Sequence, residues 1–107
     1  MKLYETTLIV DTQLEEELIK DSIEKVGEFI ESNGGSVVRV ENLGKRKLAY
    51  SIRKRESGYY VVIQFRADGS FISDLNRRLQ MDESILRHLT VVADSKSVEP
   101  EGKDNNP

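Results

Sequence analysis

The chain has 107 residues, enough for one domain with a real core and too few for a second. It contains no cysteine and a single histidine, His88, which excludes disulfides, thiolate metal sites and any histidine-based metal centre that carboxylates do not largely supply. The net charge of −3 argues against a uniformly basic nucleic-acid binder, and no apolar run approaches a membrane span or a signal-peptide core, so a cytoplasmic protein without a membrane partner is expected.

In chain order, Leu3 to Val10 is rich in β-branched and aromatic residues with apolar side chains on both parities, as in a central strand buried on much of both faces. Thr12 and Glu15 have the spacing of a capping box. Leu14, Leu18, Ile19, Ile23, Val26, Phe29 and Ile30 then repeat at helical intervals, and Asn33-Gly34-Gly35 supplies the stop. Val38 to Val40 opens a strand that Gly44 interrupts, as at a bulge or bend. After it, Leu48, Tyr50 and Ile52 alternate with Ala49, Ser51 and Arg53. A turn is expected near Glu56-Ser57-Gly58, followed by a returning strand from Tyr59 to Phe65. Phe71, Ile72, Leu75 and Leu79 form a second, shorter helical stripe. Ile85 to Val92 is a last strand. Residues 1–94 are thus one domain, and from residue 95 to 107 the chain has no apolar period and reads as a mobile tail.

The order β-α-β-β-α-β predicts an α+β, ferredoxin-like fold: a four-stranded antiparallel sheet with two helices on one face. Of the two parities of the third strand, Tyr59, Val61, Ile63 and Phe65 are the more apolar and are expected inside. Tyr60 and Val62 then lie on the helix-free face, where exposed apolar groups invite a protein partner.

Charge is unevenly placed. From Arg39 to Arg55 seven basic residues face one acid, Glu41, a local charge of +6; from Gln13 to Ser32 seven acids face two lysines, a local charge of −5. Six of the 16 Lys and Arg residues fall within eleven positions, as Lys45, Arg46, Lys47, Arg53, Lys54 and Arg55, with Tyr50 among them. Edge-strand cations can serve only to deter edge-to-edge pairing. Their density around an aromatic instead suggests phosphate contacts, which need no fixed motif and favour RNA shape over base identity. Lys2 and Arg87 are outlying candidates for the same surface.

Other chemistries find little support. Ser57-Gly58-Tyr59-Tyr60-Val61-Val62-Ile63-Gln64 matches an RNA-recognition strand at the glycine, the first aromatic and the valine, and fails at the leading basic residue, the small residue and both later aromatics. The acids of the first helix form no calcium loop. Asp11-Thr12-Gln13 after the first strand is acidic and glycine-free, unlike the phosphate cradle of the acylphosphatases that share this topology. No enzyme, metal or cofactor is expected.

Tyr4-Glu5 at the start of the first strand, Gly44-Lys45-Arg46-Lys47-Leu48-Ala49-Tyr50-Ser51-Ile52, and Gly58-Tyr59 together resemble the ribosomal protein S-six family of the bacterial small subunit. The resemblance covers roughly residues 2 to 93, with Ser51 standing where proline is common. It implies a non-catalytic ribosomal protein, monomeric when free, that binds the central domain of small-subunit ribosomal RNA beside ribosomal protein S-eighteen. Tyr4 and Tyr50 belong to the motif, and RNA contact by either is inferred from their place in it. An alternative is a non-enzymatic interaction or small-molecule sensor module that dimerises through its open sheet face.

Overall fold

The computed structural model describes residues 1–93; the expected tail from residue 95 lies outside the described residues. The elements are β1 (Lys2–Asp11), α1 (Glu16–Ser32), β2 (Ser36–Ile52), β3 (Arg55–Ala67), a 3-10 turn at Gly69–Phe71, α2 (Ile72–Met81) and β4 (Ile85–Val92). The four strands form one antiparallel sheet in the order β2-β3-β1-β4. Both helices pack on the same face, as the β-α-β-β-α-β order requires.

Strand alternation decides what is inside. On β1, Tyr4, Thr6, Leu8 and Val10 are buried beneath the helices, whereas Glu5, Thr7 and Ile9 are half-buried on the other face. The β1–β3 register sets Tyr4 opposite Phe65, Thr6 opposite Ile63 and Leu8 opposite Val61, which makes the odd-numbered side chains of β3 core, as expected. From the helices, Ile19, Val26, Ile30, Leu75 and Leu79 complete this layer. At about 25 cal/mol per Å2 of apolar surface, each such side chain contributes roughly 1.5–3 kcal/mol, so the layer dominates stability. One buried hydroxyl, that of Thr6, is satisfied by Thr90 Oγ1 at 2.7 Å.

Three local expectations are corrected. Thr12 does not cap α1: Glu15 occupies the cap position without a side-chain bond, and the Thr12 hydroxyl turns to Ser57 Oγ at 3.1 Å. Leu18 lies on the outer side of α1, 48% exposed. The hairpin turns at Arg53-Lys54, earlier than Glu56-Ser57-Gly58, with Ile52 paired to Arg55 and positive φ at both turn residues. That is the backbone of a two-residue hairpin turn, which usually employs Asn and Gly. Gly58 therefore belongs inside β3. A Cβ there would lie 2.3 Å from Ile9 Cγ2, so this glycine permits a close approach of strands. Gly44, with φ of 87° and a register shift beside it, is the expected bulge that bends the long ribbon.

The two sheet edges differ. β2 carries Arg39, Glu41, Lys45, Arg46 and Lys47, whereas the Leu89-Thr90-Val91-Val92 end of β4 has no charge.

Candidate nucleic-acid interface

Beyond the Gly44 bend, β2 and the start of β3 form a two-stranded ribbon that holds the basic cluster. Pairing places Lys45 across from Tyr59 and Lys47 across from Ser57, on the helix side of the ribbon, and Arg46 across from Gly58 on the other side. Arg53 and Lys54 occupy the tip. Lys45, Arg46, Lys47, Arg53 and Lys54 are all exposed, and among the described residues no carboxylate lies within 4 Å of any of them. The cations thus cover both sides and the end of one ribbon.

The ribbon is tied to the body at several points. Arg53 Nη1 donates to the Glu83 carbonyl at 3.2 Å, joining the tip to the connection before β4. Arg55 is the exception among the six cations: it is half-buried, and its Nε donates to Asp11 Oδ1 at 3.0 Å. Burial pushes the Asp11 carboxyl upward, but the Gln13 amide and the Arg55 guanidinium, with Arg53 further off, outweigh it and hold the group below its ordinary value. A cleft of about 580 Å3, part polar and part apolar, opens among Asp11, Leu14, Arg53, Arg55, Glu83 and Leu86. On the helix-free side, Arg87 Nη1 donates to the Tyr50 hydroxyl, and its guanidinium carbon lies 5.7 Å from the Tyr50 ring centroid. The ribbon thereby reaches back to β4, the far edge of the sheet.

The remaining predicted residues are distributed unevenly. Tyr4 is a core residue, 6% exposed and stacked on Phe65 with centroids 5.7 Å apart, so its ring has almost no surface to offer RNA; it is removed from the candidate contacts. Lys2 is exposed, but it begins β1 opposite Ala67, while the ribbon adjoins the Asp11 end of that strand. At about 3.4 Å per residue, that is roughly 30 Å away, so Lys2 belongs to no common patch. Tyr60 and Val62 lie half-buried on the helix-free face, opposite Ile9 and Thr7. Leu89 and Val91, 64% and 44% exposed, share that face by register with Thr7 and Glu5. Both belong to the last strand expected from the sequence, which does not show whether a neighbour covers that face. Sequence reasoning also missed Asp11 as the anchor of Arg55, because the two are 44 positions apart.

Among the described residues no group of His, Cys, Asp and Glu could hold a metal ion, and no helix is long and apolar enough to cross a membrane. His88 is half-buried, and desolvation lowers its pKa, so its ring is neutral at pH 7.

Comparison with known proteins agrees with this geometry. The family model described as Ribosomal protein S6 matches residues 3–92. The small ribosomal subunit protein bS6 of Thermosynechococcus vestitus is 34% identical over 104 residues, spanning 97% of this chain and 91% of its own length. That of Corynebacterium aurimucosum is 38% identical over 96 residues, 90% of this chain and 100% of its own. The crystal structure of 30S ribosomal protein S6 from Thermotoga maritima superposes with a TM-score of 0.83 at 33% identity, covering 86% of this chain and 87% of that one. With its ferredoxin-like sheet, its bent cationic ribbon and a match over nearly its whole described length, the chain belongs to the ribosomal protein S6 family of the bacterial small ribosomal subunit.

Proposed function

We propose that the protein binds the central domain of small-subunit ribosomal RNA together with ribosomal protein S-eighteen, ordering an RNA junction during assembly. The family is structural and non-enzymatic, and its members are components of the ribosome. The observation that supports the RNA reading is the ribbon itself: Lys45, Arg46, Lys47, Arg53 and Lys54 are exposed and unneutralised on a bent hairpin whose tip is fastened to the body. Such cations bind phosphates by position and charge, and so recognise the outline of a folded RNA more than its bases. The net charge of −3 fits a two-protein binder. A basic neighbour offsets the overall repulsion from RNA. Tyr60 and Val62 are the side chains proposed to meet it, and the free protein is proposed to be a monomer.

The test is a salt titration of binding to a central-domain RNA fragment with S-eighteen present. Affinity is expected to fall steeply with salt, and replacing Lys45, Arg46 and Lys47 by Ala should reduce the log–log slope by about two to three, at roughly 0.7–0.9 for each phosphate no longer neutralised. These surface changes should alter stability by no more than about 0.5 kcal/mol. A nearly flat titration of the unaltered protein counts against the reading.

A second reading, dimerisation through the helix-free face, rests on the exposed Leu89 and Val91. Sedimentation separates the two: a stable homodimer without RNA affinity, even beside S-eighteen, favours the second.

A further inference from the structure

β4 is one edge of the sheet, and among the described residues no strand pairs with its outer side. The Ala93 amide donates to the Leu3 carbonyl at 2.8 Å, which makes Leu3 and Ala93 a hydrogen-bonded pair of the β1–β4 ladder. Antiparallel pairs alternate between bonded and unbonded, so Val91 and Leu89 also turn their backbone groups toward β1. The N–H and C=O groups of His88, Thr90 and Val92 therefore point outward, where the sheet does not use them. Sheet edges usually carry a guard against pairing. That of β2 has Arg39, Glu41, Lys45, Arg46 and Lys47, together with breaks in its register. The segment from His88 to Val92 has no proline and no register shift, and its one titratable ring, that of His88, is neutral at pH 7. Leu89, Val91 and Val92 are 64%, 44% and 64% exposed.

From this arrangement we infer that β4 is a docking edge for a second copy of the chain. Two outer edges pair antiparallel about a two-fold axis at Thr90, joining two four-stranded sheets into one continuous sheet. The edge is complementary to itself, as an isologous contact requires. Thr90 meets Thr90 of the other copy and His88 meets Val92, so each outward residue exchanges both its backbone hydrogen bonds. On the helix-free face Leu89 lies opposite Val91 in both halves, an aliphatic pair with no charge to separate. Moving the axis one residue, to Leu89 or Val91, leaves one of the outward residues without an opposite number in the segment, so Thr90 fixes the register. Another protein could lay a strand along the same edge, but only self-complementarity is written into it. The contact is short. It buries far less than the roughly 1,200 Å2 of a standard specific interface, and a dissociation constant on the order of 100 µM is expected. Dilute protein stays the monomer proposed above, and the RNA reading does not depend on this edge.

Amide exchange of the full chain, read residue by residue at about 20 µM and about 2 mM, tests this. The His88, Thr90 and Val92 amides are expected to exchange roughly fivefold more slowly in the concentrated sample, by mass action. The Leu89, Val91 and Ala93 amides, already bonded to β1, should not change. Sedimentation over the same range should show the average mass rising toward that of a dimer. Leu89→Lys combined with Val91→Lys sets lysine opposite lysine across the contact and should abolish both effects, while the melting midpoint of the dilute protein stays where it was. Edge amides that exchange equally fast at both concentrations would overturn the inference. So would a dimer whose β4 edge amides remain open, since that contact belongs to the helix-free face. Protection of those amides only on addition of S-eighteen would give the edge to the protein partner and overturn it too. None of these outcomes bears on the RNA reading, which is decided by the salt response of the Lys45, Arg46 and Lys47 variant.

Discussion

Asp11 is the residue on which the ribbon's attachment turns. Its carboxylate accepts from the Gln13 amide at 3.0 Å and from Arg55 at the same distance, with its side chain only 12% exposed. The folded-state pKa is depressed, so this group contributes stability that is fully present above the unfolded value of about 3.9 and is lost as the pH falls through the lower folded value. Asp11→Asn should therefore lower the denaturation midpoint at pH 7 by the equivalent of about 1–3 kcal/mol. The gap to the unaltered protein should narrow as the pH drops below about 4. Denaturant titrations at pH 7 and pH 3 check both statements. Gly58 has a different sensitivity, to volume. With Ile9 Cγ2 2.3 Å from the place of a Cβ and Leu48 Cδ2 at 3.5 Å, Gly58→Ala forces the ribbon and β1 apart. A cost of roughly 1–3 kcal/mol is expected in equilibrium unfolding.

At the scale of elements, the hairpin turn shows a local cost kept beside the basic cluster. Arg53 and Lys54 have φ of 51° and 65°, the left-handed region in which a side chain costs on the order of 1–2 kcal/mol. Lys54→Gly removes that cost but adds glycine's unfolded-state entropy, roughly 0.5–1 kcal/mol. A net gain of about 0.5 kcal/mol or slightly more is expected in thermal melting. If Lys54 contacts a phosphate, the salt slope for RNA should shrink by a little less than one. The same turn explains what the sequence concealed. Gly58 reads in the sequence as the close of a turn because glycine ordinarily marks turns, yet here it makes room for Ile9, while Arg-Lys performs the turn without any turn-forming residue. Element order and the buried parity of β3 were legible, since periodicity in Tyr59, Val61, Ile63 and Phe65 is a direct imprint of one covered face. The basic ribbon was legible too, because its members are close in sequence. The Arg55–Asp11 pair and the Tyr50–Arg87 contact were not. Each joins residues more than 35 positions apart, and only the folded register brings them together.

For the molecule as a whole, the decisive property is how rigidly the charge is carried. A separate basic peptide of the same composition would sample many shapes, and most of its encounters with a folded polyanion would have to be followed by ordering. Here the limb is already docked onto its own body at Glu83, Asp11, Ser57 with Thr12, and Arg87. The backbone of the limb has little freedom left to surrender, so in the proposed complex the attraction of the cations would go mainly into holding the RNA and little into shaping the hairpin. On the RNA reading proposed above, the protein would serve as a mould: the RNA would be the component that changes conformation to fit, and a junction with several competing arrangements would be drawn toward the one that matches it.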